Sequence, residues 1–131
     1  MERTAVNPVT WSQEMGFNQG ELVTWANRTL YISGQTAMSP EGRPQHEGDI
    51  VAQIALAVDN LEGVLREAGM SLGNLVRLGV FTTDVDALME HYGVIAARLG
   101  AAGVTPTSTM LGIARLAVPG QMVEIEGIAV G

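Results

Sequence analysis

The stretch from Asp49 to Ala68 constrains this chain more than any other. Apolar residues fall at Val51, Ile54, Ala55, Val58, Leu61, Leu65 and Ala68, the i, i+3, i+4 spacing of one helix face. Asp59, Glu62, Arg66 and Glu67 lie mainly off that stripe. Asp49 can accept a bond from an unpaired first-turn amide, and Gly69 can take the left-handed conformation that stops a helix. A helix over 49–68 with a single apolar face must be laid against another apolar layer.

The flanking segments supply that layer. Leu22 to Trp25 and Thr29 to Ser33 are β-favoured runs separated by Ala26-Asn27-Arg28, which predicts a hairpin over 20–33 ended by Gly34. Residues 1–18, with Pro8, read as irregular, and 36–48, with Pro40, Gly42, Pro44 and Gly48, as a loop. Beyond the helix, Leu75 to Thr82 predicts a strand. Asp84 or Asp86 then caps a second helix that buries Leu88, Tyr92, Ile95 and Leu99 and closes at Gly100 and Gly103. Strands over Thr107–Ile113, entered at Pro106, and Met122–Val130 follow, joined through Pro119-Gly120. The order β-β-α-β-α-β-β gives one α/β domain over 1–131, with a mixed sheet. If both crossovers are right-handed and the sheet does not reverse, both helices fall on one face. Leu78, Val80, Leu111, Ile113, Val123 and Ile125 exceed what two helix stripes can cover, so the other face is expected to pack on further subunits.

Composition narrows the function classes. The 131 residues can bury a core without staples, and the absence of cysteine excludes disulfides, thiolate zinc sites, Fe–S clusters and a thiol nucleophile. Charged residues are only 16%, as expected if some surface is buried between subunits. The net charge is -7, and the seven basic residues are Arg3, Arg28, Arg43, Arg66, Arg77, Arg98 and Arg115, spread singly with no lysine. Phosphate-backbone binding relies on clustered cations, so no nucleic-acid partner is expected. No apolar run approaches 18 residues and the start has no leader pattern, so no membrane association and a cytoplasmic location are expected. His46 and His91 form no i, i+4 pair, there is no glycine-rich phosphate loop, and Ser33, Ser71 and Ser108 have no histidine placed by a triad motif. No metal and no cofactor are expected. The seven methionines read as core or interface filler.

Several strings, in order, resemble the Rid (reactive intermediate deaminase) or YjgF family from about Gly16 to Val130. They are Gly16-Phe17-Asn18-Gln19-Gly20, Ile32-Ser33-Gly34-Gln35, Gln53 to Leu61, Val80-Phe81 through Asp84, Pro106, Ala114-Arg115-Leu116 and Val123-Glu124-Ile125-Glu126. The resemblance implies a chorismate-mutase-like fold and a homotrimer with small-molecule sites in the clefts between subunits. It also implies hydrolysis of imines or enamines of 2-amino acids to a 2-keto acid and ammonia, without a cofactor.

Such chemistry needs a held substrate carboxylate, a placed water and a route for protons. Arginine suits the first and a carboxylate side chain the others. Glu124 matches the family's acidic residue on the last strand, and alternation puts Glu126 on the same face. The competing reading is a surface or interface carboxylate paired with Arg. Ser33-Gly34 matches the turn where backbone approaches the ligand; the plainer reading is a strand end.

The departures matter more. Ser108 stands where the family's carboxylate-binding Arg lies, in Pro106-Thr107-Ser108-Thr109. Exchanging a charged bond for a neutral one costs about 1.5–3 kcal/mol of carboxylate binding. Arg115 does not replace it, since the family often carries Arg there too. Phe17 replaces a usual Tyr, and Met89 stands near a usual Asn. The expected pocket, with Phe17, Ser33, Gly34, Met89 and Ser108 around catalytic Glu124, is therefore less polar and suited to a less anionic or more apolar ligand. A non-catalytic trimeric module binding a ligand or partner in the same cleft is the competing reading. RNA cleavage, attached to some relatives, is a third that the charge disfavours.

Overall fold

The computed structural model describes residues 1–131. The elements are β1 (Glu2–Val6), α1 (Trp11–Glu14), β2 (Gly20–Thr24), β3 (Thr29–Gln35), α2 (Ile50–Glu67), β4 (Leu75–Thr82), α3 (Val85–His91), α4 (Gly93–Ala101), β5 (Thr107–Gly112) and β6 (Val123–Val130). Four strands form a mixed sheet in the order β3-β6-β4-β5. β4 and β5 run parallel, and β6 is antiparallel to both β3 and β4. Each helical crossover therefore joins parallel strands, and β6 returns into the gap the first one leaves. The α/β architecture is the expected one.

Local chemistry sets the helices. The Asp49 carboxylate accepts from Ala52 N at 3.1 Å and that of Asp84 from Ala87 N at 3.0 Å, so Asp84 rather than Asp86 caps the second helix. That second helix is broken at Tyr92, just before Gly93, a poor helix former. The buried face of α2 is Ile50, Gln53, Ile54, Ala57, Val58, Leu61 and Leu65. It is rotated from the expected stripe: Val51 is exposed and Ala55 only half-buried, because a polar residue, Gln53, holds a core position. Gln53 donates to His46 O (3.0 Å) and Gly120 O (2.9 Å) and accepts from Met122 N (2.7 Å), tying two loops to the start of β6.

Two expectations about strands are corrected. Residues 1–18 are not irregular throughout: β1 pairs with β2 in a separate antiparallel ladder, Glu2 opposite Thr24 and Val6 opposite Gly20. The expected hairpin over 20–33 is thus not one, since β2 and β3 lie in different sheets. Trp25 turns the chain at a φ of 57°, and the amides of Asn27 and Arg28 bond to Gly131 O instead. Arg3 anchors the small ladder, pairing with Glu21 and donating to Gly73 O and Leu75 O, both at 2.7 Å.

The sheet has two unlike faces. Leu78, Val80, Val123, Ile125 and Ala129 are buried in one core with Ile54, Leu61, Leu65, Leu88 and Ile95. Four of the six strand residues read as surplus apolar surface are therefore covered within one chain, and that count overstated the need for a partner. The other face, over which no helix packs, still presents Tyr31, Phe81, Leu111 and Ile128; Tyr31 is 75% exposed and Leu111 49%.

Candidate functional site

Glu124 and Glu126 share one face, as strand alternation predicts, and it is the bare face; the register sets Glu124 opposite Phe81 and Glu126 opposite Gly79. The carboxylates lean apart. Glu124 lies over Gly34 of β3, where a methyl group would come within 2.7 Å of its Cδ. Glu126 lies over Gly79 of β4, where a methyl group would be 3.0 Å from its Cγ. Only a residue without Cβ lets Glu124 settle there, so Gly34 and Glu124 form one unit. Neither carboxylate is in an ion pair within the chain, whose acidic partners are Glu21, Asp59, Glu62 and Glu90.

Ser33 lies beside this unit. With Tyr31, Arg77, Glu126 and Ile128 it borders a depression of about 290 Å³. Arg77 is the cation of the bare face, its Nη2 donating to Thr109 Oγ1 at 2.9 Å. Sequence reading had it only as one of seven scattered arginines. The pairing of β4 with β5, which no local string encodes, gives it this position.

Phe17, Met89 and Ser108 are brought together elsewhere. They share a cavity of about 320 Å³ with Trp11, Met15, Tyr92 and Met110. Ser108 pairs with Leu78 on the parallel strand, which turns both toward the helices. Trp11 and Phe17 meet edge-to-face, ring centres 5.8 Å apart. The loop bearing them is closed at its base: Asn7 Nδ2 donates to Asn18 Oδ1 (3.0 Å), Gln19 N donates to Asn7 Oδ1 (2.8 Å), and Asn18 bridges to Thr107 at the start of β5. Burial pushes the Tyr92 phenol above its ordinary pKa of 10.0, against the smaller opposing effect of a hydrogen bond with Ser108.

The expected site residues thus divide into two groups on opposite sides of one sheet. Ser33, Gly34 and Glu124 face the bare side, and Phe17, Met89 and Ser108 the helical side. Sequence reading missed Trp11, Met15, Tyr92 and Met110 as lining residues. Tyr92 had been read as core, and the others come from an apparently irregular segment and from filler methionines. None of the seven arginines lines the cavity. No cluster of His, Cys, Asp or Glu is arranged to hold a metal ion. No helix is long and apolar enough to cross a membrane.

Comparison with known proteins identifies relatives of the chain. A model of the family described as Endoribonuclease L-PSP matches residues 12–131. Protein DfrA of Myxococcus xanthus is 31% identical over 99% of this chain and 97% of its own length. The 2-iminobutanoate/2-iminopropanoate deaminase of Mus musculus is 32% identical over 79% of this chain and 75% of its own. Among solved structures, the Rid-family protein of unknown function YyfB from Yersinia pestis superposes with a TM-score of 0.84 at 32% identity, covering 100% of both chains.

Proposed function

Since the chain belongs to the Rid (YjgF) family, which the Endoribonuclease L-PSP model describes, we propose that it hydrolyses imines or enamines to a carbonyl compound and ammonia, with a substrate preference shifted by Ser108. The observation that carries this reading is the Gly34–Glu124 unit, an acidic side chain free of ion pairing and seated against strand-end backbone. In the proposed reaction a water oxygen attacks the imine carbon. Glu124 orients that water and takes its proton; one water proton reaches the nitrogen as the tetrahedral adduct forms, and the second, from the adduct hydroxyl, as the C–N bond breaks and the C=O bond forms. No redox change occurs.

We further propose a homotrimer with the site in the clefts between subunits. One chain holds Glu124 and the Ser108 cavity on opposite faces, so a site using both needs two copies. The bare face, with exposed Tyr31 and Leu111, is an apolar surface for such a contact. Nucleic acid and membrane have no part in this reading.

The test is an oxidase-coupled assay in which imines are generated in place and ammonia release is timed with and without the protein. Acceleration that vanishes in Glu124→Ala supports the enzyme. No acceleration across a broad panel of imines favours the second reading, a non-catalytic trimeric binding module, for which the cation-free cavity is the specific support. Cleavage of RNA, the activity in the family's description, would have to act through singly placed arginines, five of which are already committed: Arg3 to Glu21, Arg28 to Ala68 O, Arg66 to Glu62, Arg77 to Thr109 and Arg98 to Asp59 and Glu62.

A further inference from the structure

We propose that the cavity beside Ser108 selects neutral, aryl-bearing imines that carry no carboxylate, the products of primary-amine rather than amino-acid oxidation. For the reaction this inference rests on the hydrolase reading above; for the ligand class it rests on the cavity alone.

Size, shape and charge all bear on the choice. An apolar cavity of about 150 Å³ holds benzene, and this one has a volume of about 320 Å³. That is room for a ring together with the imine carbon and a short substituent. The walls are Trp11, Met15, Phe17, Met89, Tyr92 and Met110. Aromatic rings meeting edge-to-face, with thioethers around them, favour a flat aromatic guest. The polar groups are the Ser108 and Tyr92 hydroxyls. Together they can offer one neutral donor or acceptor to a C=NH or C=O group. Within one chain, a carboxylate placed here would give up its hydration and meet no cation, which is strongly unfavourable. The nearest thing to a charged clamp, Arg77, is on the other side of the sheet with Thr109.

The reaction balances as aryl imine plus water giving aryl ketone or aldehyde plus ammonia. The C=N double bond is replaced by a C=O double bond to the water oxygen, and both water protons end on nitrogen. The reaction that supplies such a substrate is oxidation of a primary arylalkylamine, or condensation of ammonia with an aryl carbonyl compound.

Two measurements on the purified full-length chain test this. The first is calorimetric binding of acetophenone, phenylpyruvate and pyruvate to wild type, Trp11→Ala and Ser108→Arg. We expect acetophenone to bind wild type at least about tenfold more tightly than either keto acid, and Trp11→Ala to weaken it by about tenfold. Ser108→Arg should shift the preference to phenylpyruvate. Keto acids binding wild type as well as acetophenone, or Trp11→Ala leaving acetophenone unaffected, overturns the ligand class, whether or not Ser108→Arg folds. The second is ammonia release from imines made by a flavin amine oxidase on 1-phenylethylamine and by an amino-acid oxidase on alanine. Selective acceleration of the aryl imine supports the proposal together with the hydrolase reading. Acetophenone binding without acceleration of either imine overturns the hydrolase reading and leaves the ligand class standing. Acceleration confined to the alanine-derived imine does the reverse.

Discussion

The Glu124 carboxylate occupies the space that a side chain on Gly34 would fill. A strand residue and a strand-end glycine more than eighty positions apart are therefore one packing unit. Gly34→Ala should act on Glu124 without removing it. General acid–base groups contribute about 10²–10⁴-fold to rate. Gly34→Ala should therefore lower imine hydrolysis by at least about 10²-fold, comparable to Glu124→Gln, with unchanged circular dichroism. Full activity in the glycine variant would show that the carboxylate can move aside at no cost.

Gln53 is a buried amide that uses both ends of its side chain. Truncating it strands His46 O, Gly120 O and Met122 N, three groups in two loops and one strand start. Unsatisfied buried groups cost about 1–3 kcal/mol each. Gln53→Ala should lose about 3 kcal/mol or more in urea unfolding, whereas Val51→Ala, on the exposed side of the same helix turn, should lose well under about 1 kcal/mol.

The Tyr92 phenol predicts an alkaline signature. Its folded pKa lies above the ordinary 10.0 because burial opposes the phenolate, outweighing the hydrogen bond with Ser108. A raised folded pKa means that its contribution to stability is complete below the unfolded value. The contribution is then lost as pH rises from there through the folded one. Thermal melts of wild type should fall faster above pH 10.0 than those of Tyr92→Phe. The absorbance difference between the two proteins should show a late-ionising phenol.

The bare sheet face predicts a dependence of assembly on Tyr31. A charge at a position that is 75% exposed in the single chain should leave the subunit folded but oppose burial of this face. Light scattering should report a trimer for wild type and a smaller species for Tyr31→Glu at equal concentration. A wild-type monomer at micromolar concentration would sink the assembly and, with it, the shared site.

Much of the fold was legible because local chemistry and burial agree. Asp49 and Asp84 cap where an acidic residue precedes an apolar stripe, and β4 runs over the Leu75–Thr82 stretch read from composition. The β1–β2 ladder was hidden because four of the five residues of β1 are exposed, leaving no period-two signal. Gln53 was hidden because a buried amide looks like a polar gap in a helix stripe until its partners are known. The candidate site was half legible. Parity put Glu124 and Glu126 on one face, but the register that turns Ser108 toward the helices comes from its pairing with Leu78 thirty positions earlier. Resemblance gathered the site residues into one set, and only the sheet shows that a single chain keeps them on two sides.

The Asn7–Asn18 clasp has an evolutionary consequence. It closes off the loop that carries Trp11, Met15 and Phe17, so three walls of the cavity form a cassette hung from one pair of amide side chains. Glu124 and Gly34, by contrast, are woven into the sheet, where any change disturbs neighbouring strands. Selection can therefore rewrite the loop, and with it the cavity walls, while the strand that carries Glu124 is inherited unaltered.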